Sequence, residues 1–222
     1  MPYPRNEILT NGEVYHVLNR SIANEDIFKG RRILNHTLDL VDYYRFPQKI
    51  RFSIYNSLPV FAKNDYFSNF RKQPTLVEIF AFALMPTHYH LLVKQLQDGG
   101  IKKFISRFQN SFAKYFNKKF KRQGSVFLRP FKAKRIFKDS LLLHVSRYIH
   151  LNPITSYLIN FEELGTYPWT SYPYYLGEKK PDLVNTKMVL DIAGSNKRYH
   201  SFLANQVDYQ RRLNKIKNLI LE

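Results

Sequence analysis

Leu76–Leu84 (Leu-Val-Glu-Ile-Phe-Ala-Phe-Ala-Leu) is an almost unbroken apolar run of nine residues. A bilayer-spanning helix needs roughly 20 apolar residues, and no run in this chain is that long. A short apolar run rich in branched and aromatic side chains predicts a strand buried on both faces. Pro86-Thr87 then predicts a turn, and His88–Lys94 (His-Tyr-His-Leu-Leu-Val-Lys) a returning strand, so the two form an antiparallel hairpin. Gly99-Gly100 ends it.

Around this hairpin the pattern alternates between periods of two and 3.6. Glu13–Leu18 alternates and predicts a strand. Asn24-Glu25-Asp26 is a candidate cap for a helix through Ile27, Phe28, Ile33, Leu34, Leu38 and Val41. After the hairpin, Ile101, Phe104, Ile105, Phe108, Phe112, Tyr115 and Phe116 repeat at helical spacing. Ser125–Ile136 predicts a strand, and Asp139-Ser140 are N-cap candidates for a helix from Leu141 to about Leu151. Pro153 is expected to stop that helix at Asn152. The first six elements read βαββαβ, the ferredoxin-like split unit, so the expected class is α+β with one antiparallel sheet and a following helix. Residues 1–160 are expected to form one domain. Within it, 47–74 read as an insertion with aromatics and two strand-like pieces. Residues 161–222 are expected to be a C-terminal appendage with a short helix near Thr186–Ala193 and a basic tail, Arg211-Arg212-Leu213-Asn214-Lys215.

The charge balance narrows the partner. Among 222 residues, 35 Lys and Arg oppose 17 Asp and Glu, a formal net charge of +18. Such an imbalance repels itself in the folded state and attracts polyanions, nucleic acid before a membrane surface. From Lys102 to Lys138 there is no acidic residue, while Lys102, Lys103, Arg107, Lys114, Lys118, Arg122, Arg129, Lys132, Lys134 and Arg135 are candidate phosphate contacts. The 16 Tyr and 18 Phe suit stacking on unpaired bases, although most serve a core. With no cysteine, disulfides, thiolate-bound zinc and a thiol nucleophile are excluded. No secretory pattern is visible, so a cytoplasmic protein is expected.

Two constellations carry chemistry. On a strand, His88 and His90 leave the same face, close enough for both imidazoles to share one metal ion. The alternative is one core and one solvated histidine. On the helix after the split unit, His144, Tyr148 and Asn152 fall on one face at i, i+4, i+8, with Leu142, Val145 and Ile149 as the buried stripe. Asn152 would add a metal oxygen and Tyr148 a phenolic nucleophile. Alternatively Tyr148 is a buried ring and Asn152 a residue before proline. Tyrosine is a weak nucleophile at neutral pH because its pKa is about 10, and a neighbouring divalent cation offsets that. Tyr115, on an apolar stripe, reads as core rather than as a rival nucleophile. His16, His144 and His150 are either supports behind the site residues or, as lone histidines more often are, structural.

These residues resemble the single-tyrosine HUH transposases of the IS200-like superfamily, and within it the REP-associated tyrosine transposases. The resemblance rests on Tyr15-His16-Val17 with Asn19-Arg20 and on Ala83-Leu84-Met85-Pro86-Thr87-His88-Tyr89-His90-Leu91-Leu92. It continues through Tyr115-Phe116-Asn117, Gly124, Phe127, Arg147-Tyr148-Ile149-His150-Leu151-Asn152-Pro153 and Tyr167-Pro168-Trp169-Thr170-Ser171-Tyr172. It implies His88 and His90 as metal ligands with Asn152, Tyr148 as nucleophile, and Mg²⁺ or Mn²⁺ as cofactor. It further implies cleavage and rejoining of single-stranded or hairpin DNA through a 5′-phosphotyrosine link, by a monomer or homodimer. Tyr89 stands where the motif has a hydrophobic residue, a mild departure, and 47–74 is longer than in compact members. Two other readings remain: a non-catalytic nucleic-acid-binding module on the same fold, and a metal-dependent nuclease that uses water.

Overall fold

The computed structural model describes residues 7–179 and 182–206, so the basic tail at 211–215 lies outside the described residues. The protein is α+β, with four strands: β1 (Val14–Arg20), β2 (Val77–Met85), β3 (His88–Gln95) and β4 (Lys132–Ile136). They pair in the order β2-β3-β1-β4. That order is the one a βαββαβ chain produces when each helix returns the chain to the far side of a neighbour. The chain divides into two compact units. Unit one holds residues up to 78, 86–88 and 93–135; unit two holds 79–85, 89–92 and everything from 136 on.

In unit one, β1 and β3 are registered at both ends. Gly12 N donates to the Gln95 carbonyl at 2.8 Å, and Gln95 N donates to the Glu13 carbonyl at 3.0 Å. Two residues thus oppose one, a bulge whose first residue needs positive φ, and Gly12 supplies φ +80°. At the other end Ser21 N donates to the Thr87 carbonyl at 2.8 Å, so the pairing is antiparallel and sets Arg20 opposite His88. Helix α1 (Arg31–Tyr44) packs on helix α4 (Gly100–Phe120). The predicted stripe of α4 is buried at Ile101, Phe104, Ile105, Phe108, Phe112 and Phe116, with Phe112 4.9 Å from Phe28 and 5.6 Å from Phe127. Tyr115 departs from the stripe and is half-buried.

Four expectations are corrected here. Helix α1 starts at Arg31 after Gly30 (φ +83°), with no side-chain cap. A 3₁₀ turn occupies Ile22–Asn24 instead, and Ile27 and Phe28 are buried ahead of the helix. The two strand-like pieces of 47–74 are helices, α2 (Phe52–Ser57) and α3 (Val60–Arg71). Their aromatics recur three or four apart, as in Phe52/Tyr55 and Tyr66/Phe70. The rings gather around Tyr43, 5.0 Å from Tyr55 and 5.5 Å from Phe70. Strand β4 begins at Lys132 rather than Ser125; before it only Phe127 bridges, to Ser21. Helix α5 (Asp139–Thr155) runs through Pro153, with Lys138 at its N-cap. A proline forfeits one backbone bond in a helix. Burial of Asn152, Pro153, Ile154 and Thr155, together with Ser156 N donating to Asn152 O at 3.0 Å, offsets that loss.

Unit two is organised by the buried edge of β2. Leu84 N donates to Trp169 O at 2.9 Å, Ser171 N to Phe82 O at 3.0 Å, and Phe82 N to Ser171 Oγ at 2.8 Å. Residues 169–171 therefore satisfy backbone groups of an edge strand that would otherwise invite pairing with another chain. Helices α6 (Tyr172–Tyr175), α7 (Lys187–Ala193) and α8 (Asn196–Ala204) follow, and α7 and α8 both pack on α5. The short helix near Thr186–Ala193 is present with Thr186 at its N-cap; α8 carried no expectation.

The interior of unit two holds a one-way chain of hydrogen bonds. Tyr199 Oη donates to Ser146 Oγ (2.9 Å), which donates to Leu143 O (2.8 Å). Tyr199 Oη therefore accepts from His150 Nδ1 (2.8 Å), and His150 Nε2 accepts from Ser171 Oγ (2.7 Å). This directionality assigns a neutral imidazole with its proton on Nδ1. Burial agrees, lowering the His150 pKa to about 3.

Two outcomes test this packing. A Cβ on Gly100 would meet the Leu76 carbonyl oxygen, so Gly100→Ala is expected to cost about 1–3 kcal/mol in urea unfolding, as overpacking does. An unchanged midpoint contradicts the close approach. For His150 the folded pKa lies below the unfolded one, so its contribution is complete above about 6.5 and is lost as pH falls towards 3. The urea midpoint should fall across that window, and fall less in His150→Gln.

Candidate active site

Tyr148 reaches solvent because of what surrounds it in the sequence. Successive helical residues turn by about 100°, so an inward His150 puts Tyr148 on nearly the opposite side of α5. His150 is fully buried, whereas Tyr148 is 39% exposed. The Tyr148 ring meets the His90 imidazole edge-on, with centroids 5.5 Å apart and planes at 85°. His90 is itself buried, held on a stretch of β3 in which Tyr89, Leu91 and Leu92 are buried too. One turn beyond Tyr148, Asn152 is buried, and its Nδ2 donates to the Tyr148 carbonyl at 2.8 Å. That bond occupies the amide nitrogen and leaves Oδ1 as the group able to ligate.

His88 sits two residues before His90 on β3, in the part of the strand that belongs to unit one. Its Nδ1 is 2.9 Å from Thr87 Oγ1. Burial, then the Arg20 guanidinium, lower its pKa to about 4. The imidazole is therefore neutral at pH 7, the form that binds metals. In the tautomer with the proton on Nδ1, shared with Thr87, the lone pair lies on Nε2. A hydrogen bond at one ring nitrogen fixes the tautomer and the orientation of the imidazole. The sequence assigns Thr87 to a turn and Arg20 to the family resemblance, but gives neither a place beside His88. Thr87 falls in the turn before the strand, and Arg20 is set opposite His88 only by the β1–β3 register.

The predicted face of α5 is only partly as expected. His144 and Tyr148 are exposed, but Asn152 is buried, and Val145 is half-buried rather than core. The inward set includes polar Ser146, Arg147 and His150. Arg147 lies over Phe202 at 4.2 Å and bonds His144 Nδ1 at 3.0 Å.

The candidate phosphate contacts divide into two groups. Lys102, Lys103, Lys114, Lys118, Arg129, Lys132 and Lys134 are exposed. Three others hold protein partners: Arg107 donates to Gln48 O at 3.0 Å, Arg122 pairs with Glu25 at 3.3 Å, and Arg135 donates to Glu13 Oε2 at 3.0 Å.

Residues 63–152 match the family model described as IS200-like transposase. That segment is similar to the IS200-like transposases. It runs from within α3 to Asn152, and so contains His88, His90, Tyr148 and Asn152. A solved structure of a REP-associated tyrosine transposase bound to a REP hairpin is similar in fold. Its TM-score is 0.51 and its identity 15%, over 83% of this chain and 92% of that one. A candidate transposase from Deinococcus radiodurans R1 aligns at 13% identity over 67% of this chain and 95% of its own, with a TM-score of 0.37. No curated protein matches the chain. The IS200-like resemblance read from the sequence agrees with the family match over 63–152, and the α+β fold read from it agrees with the first of these structures. Among the described residues no helix is long and apolar enough to cross a membrane.

Because Tyr148 is exposed on a helix anchored by its other side, its hydroxyl should matter little to folding. Tyr148→Phe is expected to unfold within about 0.5 kcal/mol of the wild type in urea. A larger loss would make Tyr148 a structural residue.

Proposed function

We propose that the IS200-like chain is a DNA strand transferase that cleaves and rejoins single-stranded or hairpin DNA, with Tyr148 as nucleophile. The observation that carries this reading is the placement of a solvent-reachable Tyr148 ring against the buried His90 imidazole, one turn before Asn152. In the step proposed, the Tyr148 phenolic oxygen, its proton lost to solvent, attacks a backbone phosphorus. The bond from phosphorus to the 3′-oxygen breaks, and that oxygen takes up a proton. The products are a 5′-phosphotyrosine and a free 3′-hydroxyl. Attack of a 3′-hydroxyl on the phosphotyrosine reverses the bonding and restores the phenol, so rejoining consumes no nucleotide.

The family implies a divalent cation, and the donor types of His88, His90 and Asn152 are ones such an ion takes. His88 is neutral, Asn152 offers Oδ1, and His90 lies two residues from His88 on the same strand. Two nitrogens and one oxygen suit Mn²⁺, or Mg²⁺ when phosphate and water oxygens complete the shell. Among the described residues no group of three or more His, Cys, Asp or Glu gathers, so this small donor set relies on such oxygens. When bound, the ion polarises the phosphate and favours phenolate. The REP hairpin held by the structural relative makes a hairpin the first substrate to test.

A labelled hairpin oligonucleotide with Mn²⁺ is expected to give a covalent protein–DNA adduct that vanishes in Tyr148→Phe while binding persists. Cleavage surviving in Tyr148→Phe without an adduct favours a water-using nuclease. Binding with no cleavage on any palindrome flanking the gene favours the non-catalytic module. His88→Ala and His90→Ala are each expected to lose Mn²⁺ binding by calorimetry and to abolish cleavage, with a much smaller change in DNA affinity. Unaltered Mn²⁺ affinity in the double variant rejects the ligand assignment.

A further inference from the structure

Unit one contains a groove of about 1370 Å³, larger than the roughly 300–1,000 Å³ typical of small-molecule sites. None of its lining residues belongs to β3 or α5. Its walls are the outward faces of α1 and α4 and the segment from Gln48 to Ser57, within the region read from sequence as an insertion. The walls are tied together: Arg107 on α4 donates to Gln48 O at 3.0 Å, and Gln48 is held by Tyr43 O (2.7 Å) and Tyr66 Oη (2.9 Å). Helix α1 contributes Arg31 and Arg32, the segment after it Lys49 and Arg51, and α4 Lys114 and Lys118, against a single carboxylate, Asp39.

Aromatic rings accompany this charge. His36 and Tyr115 both line the groove, with ring centroids 3.9 Å apart and planes at 32°. The Tyr115 hydroxyl is buried without a hydrogen-bond partner among the described residues. The two rings are half-buried, and cations of α1 and α4 line the groove beside them. Cations spaced along three walls with rings between them suit a phosphate track with a stacking platform.

We propose that this groove is a nucleic-acid site separate from the Tyr148 site. It would take a single-stranded segment, its phosphates on Arg31, Arg51 and Lys114 and a base against His36 and Tyr115. The proposal does not rest on the strand-transfer reading, since binding needs neither cation nor nucleophile. It gives the 47–74 region a role, that of building the third wall.

The test is fluorescence anisotropy of labelled oligo(dT) and oligo(U) on the full chain with EDTA, across a salt series. Each phosphate contact contributes about 0.7 to the logarithmic salt slope on a single strand. Arg31→Ala/Arg51→Ala/Lys114→Ala, at three exposed positions, should therefore reduce the slope by about two. His36→Ala/Tyr115→Ala should weaken binding about 5- to 150-fold, the range for losing one stacked base, with circular dichroism reporting its fold. In the wild type, an oligonucleotide carrying 5-iododeoxyuridine should crosslink to Tyr115 or His36 on irradiation, as mapped by mass spectrometry. Comparable effects on oligo(dT) and oligo(U) mean the groove reads features common to both; effects on one alone name which it takes. The proposal is overturned if the triple variant keeps the wild-type slope and affinity, or if crosslinks fall only outside the groove. It is overturned equally if an acidic peptide, but neither oligonucleotide, competes for these residues.

Discussion

The full burial of one neutral imidazole governs the orientation of the tyrosine helix. His150 lies in the interior of unit two with both ring nitrogens engaged, one by Ser171 and the other by Tyr199. A buried ring of this kind is tolerable only if each nitrogen finds a partner of the right polarity. Meeting that demand fixes the rotation of α5 about its own axis, because Ser171 is itself held by β2 and Tyr199 by α8. The outward direction of Tyr148 follows from helical geometry. A hydrophobic residue at 150 would pack, but it would not distinguish one rotation of the helix from its neighbours so sharply. The polar chain supplies a specificity that apolar burial does not.

The same chain accounts for the Tyr167–Tyr172 string. Residues 169–171 occupy the edge of β2 by backbone hydrogen bonds, and Ser171 then reaches His150 with its side chain. One short segment thus closes a sheet edge and orients the helix that carries Tyr148. From sequence the string reads only as a family resemblance, since nothing in its composition says which strand it meets.

Legibility follows how local each determinant is. Strands β2 and β3, the α4 stripe and the presence of α5 were all readable, because each depends on periodicity within a single segment. The errors arise where tertiary burial outweighs local preference. Pro153 should end α5, yet the packing of Asn152–Thr155 carries the helix one turn further. The aromatics of 47–74 favour strands by propensity, yet they meet around Tyr43 from two helices. At the site, the residue types were legible but their partners were not. Thr87 against His88, and Arg20 opposite it, depend on a turn and a register that join distant segments. The exposure of Tyr148 depends on His150, which reads from sequence as merely another structural histidine.

Charge and neutrality are kept apart within this molecule. A net charge of +18 would ordinarily keep cations near any exposed imidazole and, at mildly acidic pH, add its own protonation to the repulsion. Burial removes that tendency at His16 and His88, whose pKa values fall to about 4. For His88 the penalty of desolvating an imidazolium and the field of Arg20 act in the same direction, and both favour the neutral form. The long-range positive field and the local environment that keeps the His88 imidazole neutral therefore do not conflict. Many of the cations stand on exposed positions of α4 and β4, where salt screens them, whereas the histidine is shielded by the protein itself. Raising ionic strength should then weaken capture of a polyanion while leaving the protonation state of His88 almost unchanged, because screening acts on exposed charges and hardly at all on a desolvation penalty.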